Sequence, residues 1–310
     1  MSLSRTLLLR ASRSRWLAEQ LRRRRFARRA VRRFMPGEDA DAALDAAAEL
    51  RAAGMGTVLT QLGERTTRRE EAEAVREHYL GLLDALGRRG LSADLSVKPT
   101  HLGLDVDRAV CERSLHRLAA RAGEIGSRVW IDMEEAPYVD ATLELFRRVR
   151  AEHEAVGICL QTYLRRTPAD VEALLPLGPA IRLVKGAYAE PAEVAYPRKA
   201  DTDRAFLALA ERLLERAGEG GALPVFGTHD LGLVGRIRER AGALGLSREA
   251  WEVHMLYGIR AAEQRALTGS GVTVRVLVSY GANWFPWYMR RLAERPANLW
   301  FVARSLLPAP

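Results

Sequence analysis

An α/β fold of the closed parallel kind, a (β/α)₈ barrel, is what this sequence predicts, and three observations carry it. A short apolar run followed by a loop and an amphipathic helical stretch recurs eight times after residue 39. The runs lack the strict alternation of a strand with one wet face, as befits parallel strands covered on both sides. Eight such units in about 250 residues match the size of that barrel. A doubly wound open sheet is the alternative. It favours a glycine-rich phosphate loop after the first strand, and the Leu62-Gly-Glu64 loop there has one glycine.

The elements follow in order. Residues 39–53 read as a helix ended by Gly54. The strands are expected at Thr57–Gln61, Ala93–Val97, Arg128–Met133, Val156–Leu160, Ile181–Val184, Pro224–Thr228, Glu252–Leu256 and Thr273–Val278. Helical periodicity fills the intervals at Arg68–Leu86, Val106–Ala122, Ala136–His153, Pro168–Leu175, Asp201–Arg216, Gly232–Leu244 and Arg260–Thr268, with a last helix at Phe285–Glu294.

The chain has 310 residues, 48% of them hydrophobic and 28% charged, enough to bury a core. Its net charge of +9 suggests a nucleic-acid binder, but the distribution does not. Residues 1–35 hold twelve arginines and one acid, a local +11, so the remainder sums to −2. A basic arm over residues 1–38, with helical spacing from Leu7 to Phe34, therefore precedes a near-neutral body over residues 39–310. An Arg-rich transit peptide is the other reading of that arm. Two cysteines exclude a disulfide scaffold or a multi-cysteine metal site. No apolar run approaches a membrane span, and a cytoplasmic location is expected.

A barrel does its chemistry where strands run into the following loops. Polar groups occur at every such place: Glu64; Lys98; Asp132; Gln161; Arg182 and Lys185; Thr228, His229 and Asp230; His254; and, after the eighth strand, a helix with Arg290, Arg291 and Glu294. The chain has only three lysines, and two of them stand in this set. Each group also has a plain structural reading. Glu64, Asp132 and Arg290 could form an ion-pair network, His254 a satisfied core histidine, and Asp230 a helix cap. The double arginine could belong to a solvated face, although Trp284, Phe285, Trp287 and Tyr288 beside it would then be exposed. With no His-x-His and no histidine pair four apart on a helix, no metal site is expected. No Gly-x-Ser-x-Gly elbow marks a nucleophilic serine. A fixed lysine with two arginines suits a substrate carboxylate, and hence an amino or organic acid.

These residues resemble the proline dehydrogenase family. The resemblance rests on Leu62-Gly-Glu64, Val97-Lys98, Asp132-Met-Glu134, Leu160-Gln-Thr-Tyr163, Arg182-Leu-Val-Lys-Gly-Ala-Tyr188, Thr228-His-Asp230, Met255-Leu-Tyr-Gly258 and Arg290-Arg-Leu-Ala-Glu294, in order along nearly the whole chain. It implies a distorted TIM barrel with N-terminal helices and its final helix over the barrel mouth. It also implies non-covalent FAD, hydride transfer from C5 of L-proline to flavin N5, and reoxidation by a quinone-type acceptor. By this resemblance Lys98, Arg290 and Arg291 clamp the substrate carboxylate, with Glu64, Asp132 and Glu294 pairing to that cluster. Tyr188, Leu256, Leu277 and Trp287 line the ring pocket. Gln161 and Arg182 meet the flavin ring, and Lys185, Gly186, Ala187, Thr228, His229, Asp230 and His254 complete the cofactor site. Lys98, Asp132 and Arg182 are the catalytic set. A separate pyrroline-5-carboxylate dehydrogenase is implied as partner.

Three positions depart from the family pattern. Leu277 and Trp287 stand where tyrosines are usual, and His254 where glutamine is. Another cyclic or secondary amino acid, such as hydroxyproline, is therefore the alternative substrate. A non-enzymatic protein that attaches by its basic arm is the third reading. Membrane contact through the arm is compatible with either enzyme, and no nucleic-acid partner is expected.

Overall fold

The computed structural model describes residues 31–285 and 287–289. Helix α1 (Ala40–Ala52) leads into eight parallel strands: β1 (Gly56–Gln61), β2 (Asp94–Val97), β3 (Val129–Ile131), β4 (Val156–Gln161), β5 (Ala180–Val184), β6 (Leu223–Gly227), β7 (Glu252–Leu256) and β8 (Val274–Tyr280). The strands pair in sequence order, and β8 pairs back to β1 from Gly56↔Arg275 to Gln61↔Tyr280, so the barrel is closed. Between them lie α2 (Arg69–Arg88), α3 (Arg108–Glu124), α4 (Val139–Glu152), α5 (Thr167–Leu174), α6 (Lys199–Gly218), α7 (Leu231–Ala243) and α8 (Ala261–Gly269).

Each crossover helix has a local reason to start. Asp107 and Asp230 cap α3 and α7 by accepting backbone N–H groups, and Asp39 does the same for α1; each satisfies a donor that the first turn leaves without a partner. The outward faces of the strands, among them Leu95, Ile131, Ile158, Leu183, Val253 and Val276, are fully or almost fully buried against the helices. Burying each such side chain contributes about 1.5–3 kcal/mol. The third strand is shorter than the apolar run suggests. Asp132 lies just past its end, although the Asp132 N–H still donates to the Val97 carbonyl at 2.9 Å.

The aromatic segment after β8 is covered. Trp284, Phe285 and Tyr288 are buried. Trp284 Nε1 donates to Glu38 at 3.0 Å, and the Tyr288 ring lies 6.2 Å from that of Phe34. Val31 and Met35 are buried too, and Gly258 has a positive φ where any Cβ would run into the Arg33 backbone. Residues 31–38, the end of the expected arm, thus pack on the mouth side of β7 and β8. Residues 1–30 lie outside the described residues, as do Arg290, Arg291 and Glu294. Among the described residues no helix is long and apolar enough to cross a membrane.

Candidate active site

Trp130, on β3, crosses the barrel lumen and divides it. It has no exposed surface, and it packs with Val58, Ala180 and Val225, with Leu277 against the same cluster. Gly157 on β4 makes room for it, since a Cβ there would lie 2.7 Å from the indole. Trp130 Nε1 donates to Asp94 Oδ2 at 2.9 Å, and the Arg182 guanidinium lies 5.1 Å from its ring centre.

On the N-terminal side of this ring the charges are matched. Arg275 Nε donates to Glu252 Oε2 at 2.7 Å and lies 3.8 Å from Asp94; His254 Nε2 sits 3.0 Å from the same Glu252 oxygen. Burial alone would raise the Glu252 carboxyl. The His254 hydrogen bond and the Arg275 charge overcome that and hold it down at about 2. His254 is pushed below its ordinary value by burial, so the neutral ring is favoured. Gly56 is required here, because a Cβ would lie 2.7 Å from Arg275 Cγ.

Toward the C-terminal ends of the strands the arrangement differs. Arg182 Nη2 donates to Asp132 Oδ1 at 2.5 Å and to Ser96 Oγ at 2.8 Å, and Ser96 Oγ donates to the same Asp132 oxygen at 2.8 Å. The other Asp132 oxygen is 4.0 Å from Lys98 Nζ. Strand parity produces this cluster: Ser96 and Lys98 are two apart on β2 and its end, and Arg182 is two past Ala180 on β5. Arg182 is buried, yet its Nη1 has no hydrogen-bond partner; the Cys159 thiol, a weak acceptor, lies beside the guanidinium. Gln161 Nε2 donates to the Met133 carbonyl at 3.2 Å, while its buried Oε1 is likewise unpartnered. Buried polar atoms are normally satisfied, so these two are suited to a bound group.

The loop that carries Lys98 is pinned from below. Glu134, 1% exposed, accepts the Thr100 N–H at 2.9 Å and its hydroxyl at 2.6 Å. The His101 ring from this loop packs on Gly63, where a Cβ would strike it. Burial, the Lys98 charge and His78 lower the His101 pKa to about 4. Glu64 follows Gly63, half-buried and within electrostatic reach of His101.

A second cluster occupies the rim after β5 and β6. Lys185 Nζ lies 2.6 Å from Asp203 and 3.3 Å from Asp230, and Lys199 pairs with Asp203. Burial opposes ionisation of both aspartates, but the two lysines hold them below the usual carboxylate range. Asp230 thus caps α7 and binds Lys185 at once. Thr228 Oγ1 accepts the Asp230 N–H, and His229 Nε2 accepts the Leu256 N–H at 3.2 Å. Gly186 has φ +111°, and a side chain there would enter the Tyr163 ring; only glycine suits both demands. Ala187 is exposed, while Tyr188, Leu256, Leu277 and Trp287 are each partly exposed.

The fold therefore unites Lys98, Asp132, Gln161 and Arg182 at the upper lumen, and Lys185, Thr228, His229 and Asp230 along the adjacent rim. It draws His254 down to Glu252. Sequence reasoning passed over Ser96, Asp94, Trp130, Glu252 and Arg275. Each is a polar or aromatic residue in a short apolar run; the two-residue parity with Lys98, Asp132, His254 or Leu277 is the signal that finds them.

A family model described as proline dehydrogenase matches residues 43–304. The chain belongs to the proline dehydrogenase family. Proline dehydrogenase 1 of Bacillus subtilis is 34% identical over 277 residues, covering 89% of this chain and 90% of that protein. The proline dehydrogenase of Deinococcus radiodurans is 36% identical over 294 residues, covering 93% of each. Among solved structures, proline utilization A from Bdellovibrio bacteriovorus, inactivated by N-propargylglycine, superposes with a TM-score of 0.80 at 25% identity. That match covers 86% of this chain and about a third (33%) of the longer one. Members of this family are oxidoreductases that act on a CH–NH group, and the closed eight-stranded barrel is the architecture shared here.

Proposed function

We propose that this chain oxidises L-proline to Δ1-pyrroline-5-carboxylate, with non-covalent FAD as the immediate electron acceptor and a quinone-type compound as the final one. The observation that carries this is the unpartnered pair of buried atoms, Arg182 Nη1 and Gln161 Oε1, beside the Lys98–Asp132–Arg182 cluster above Trp130. FAD bound here would supply a two-electron acceptor for the hydride from the substrate C5. Arg182 and Gln161 would face the flavin ring, with the guanidinium supporting negative charge on it. Lys185, Gly186, Thr228 and His229 would hold the rest of the cofactor, with Asp230 orienting Lys185, and Ala187 leaves that rim open.

Lys98 would bind the substrate carboxylate together with Arg290 and Arg291, which lie outside the described residues. Asp132 keeps Lys98 and Arg182 charged and in place, so positioning is done before substrate arrives. The amine proton leaves to solvent as the C–N double bond forms. The basic arm gives a means of contact with an anionic membrane, and the product passes to a separate pyrroline-5-carboxylate dehydrogenase.

Leu277 favours a second reading. It is partly exposed and packs on the apolar cluster of Val58 and Trp130, which makes one wall of the lumen apolar and suits a larger or N-substituted amino acid. The test is anaerobic mixing of the FAD-loaded chain with a panel of secondary amino acids. Proline should bleach the flavin fastest. Faster bleaching by hydroxyproline or pipecolate supports the second reading, and a chain that takes up no flavin overturns both.

A further inference from the structure

On the outer layer of helices, outside the barrel lumen, three metal-binding side chains converge. His116 lies on α3; Glu152 ends α4, and His153 follows it. Their ligand atoms all lie within 4.8 Å of one another. His116 Nδ1 is 3.5 Å from Glu152 Oε2, and the two imidazole rings stand edge to face with centres 5.3 Å apart. Among the described residues no other group of three such side chains comes together this way. All six histidines of the chain are described. The others are engaged inside: His78 at Tyr280, His101 on Gly63, His229 at Leu256 and His254 at Glu252.

We propose that His116, Glu152 and His153 form a binding site for a divalent cation of the zinc class. Two imidazoles and a carboxylate are a borderline donor set that suits Zn²⁺ better than Mg²⁺ or Ca²⁺, with water completing a tetrahedron. Ligands about 2.0–2.1 Å from a tetrahedral ion stand roughly 3.4 Å apart, and the His116–Glu152 pair already has that spacing. Glu152 is largely exposed and free to adjust, with 69% of its side chain accessible. The site joins two neighbouring crossover helices near the point where α4 returns to β4. It lies outside the barrel and away from the proposed reaction, so its work is to tie α3 to α4. Spacing along the chain hides it, because one histidine sits on α3 and the other just after α4.

The experiment uses the full chain stripped with a chelator, then titrated with zinc chloride against a chromophoric competitor. One zinc per chain is expected. His116→Ala and His153→Ala should each weaken it by at least about tenfold, since loss of even an outer-shell partner costs that much. Zinc should raise the melting temperature of the wild-type chain and leave that of the double variant unmoved. The double variant should match the wild type in far-ultraviolet circular dichroism and in flavin reduction. Zinc bound equally well by the double variant, or no zinc held by the wild-type chain in competition, would overturn the assignment.

Discussion

Two sets of buried charges share one lumen, and Trp130 separates them. Below it, Arg275 meets Glu252 and Asp94, and Glu252 also meets His254, so every charged group has a partner. Above it, Arg182 and Gln161 each keep one buried atom without a partner, and Lys98 stands 4.0 Å from an Asp132 oxygen. Burial is similar in both, and each keeps an unpartnered atom; below, it is Nδ1 of the neutral His254 ring, whereas above one belongs to the charged Arg182 guanidinium. An unpaired buried polar atom costs about 1–3 kcal/mol, and the upper set carries that cost where a ligand would remove it. The lower set suits a structural role, and the upper set suits the cofactor site proposed above.

The largest expected effect is below Trp130. Glu252→Ala leaves Arg275 and His254 without their shared carboxylate, and breaking such a buried pair costs about 3–5 kcal/mol. Denaturant unfolding should show that loss, and Glu252→Leu combined with Arg275→Met should recover much of it. A Glu252→Ala chain of unchanged stability would show that the lower set is not structural.

Acid comes next, through the buried histidines of both regions, with His101 in the loop that carries Lys98. The His101 pKa falls from 6.5 to about 4 on folding. A depressed folded value contributes stability that is full above pH 6.5 and is lost as pH falls through about 4, a difference of roughly 3 kcal/mol. Glu252, lowered from 4.5 to about 2, acts only below pH 4.5. Stability measured between pH 7 and 4 should therefore decline, and His101→Gln should flatten that decline; an unchanged slope would remove His101 from the explanation.

Smaller effects belong to the site itself. Gly186→Ala sets a side chain at φ +111° against the Tyr163 ring, a strain of about 1–3 kcal/mol. FAD retention should fall roughly ten- to hundredfold, and unfolding should show a loss no larger than that strain and smaller than that of Glu252→Ala. Ser96→Ala removes the hydroxyl shared by Arg182 and Asp132, worth about 1 kcal/mol. Flavin reduction should slow several-fold, with the melting temperature lowered by only the few degrees that about 1 kcal/mol accounts for. Equal loss of stability in either variant would erase the contrast between the two sets.

The eight strands and their order were legible because parallel strands under helices leave uninterrupted apolar runs. The rim residues were legible because lysine is rare in this chain and two of three lysines follow strands. The lumen was harder to read. Asp94 and Glu252 open their strands, and Ser96 is one polar residue inside a short run; only barrel closure shows that they face Arg275 and Arg182. The packing of Phe34 and Glu38 on the segment after β8 joins residues some 250 apart (246 for Glu38 and Trp284), a distance that periodicity does not span. The roles expected of Arg290, Arg291 and Glu294 fall outside the described residues.

The most direct test of the account is an anaerobic proline titration of the FAD-loaded chain, followed at the flavin absorbance band, with Lys98→Met beside the wild type. A charge-assisted hydrogen bond to a carboxylate is worth about 1.5–3 kcal/mol. The account predicts that proline bleaches the wild type, and that the variant keeps its flavin but needs at least about tenfold more proline. A variant that bleaches at the wild-type proline concentration, or a wild-type chain whose flavin proline leaves unchanged, would contradict it.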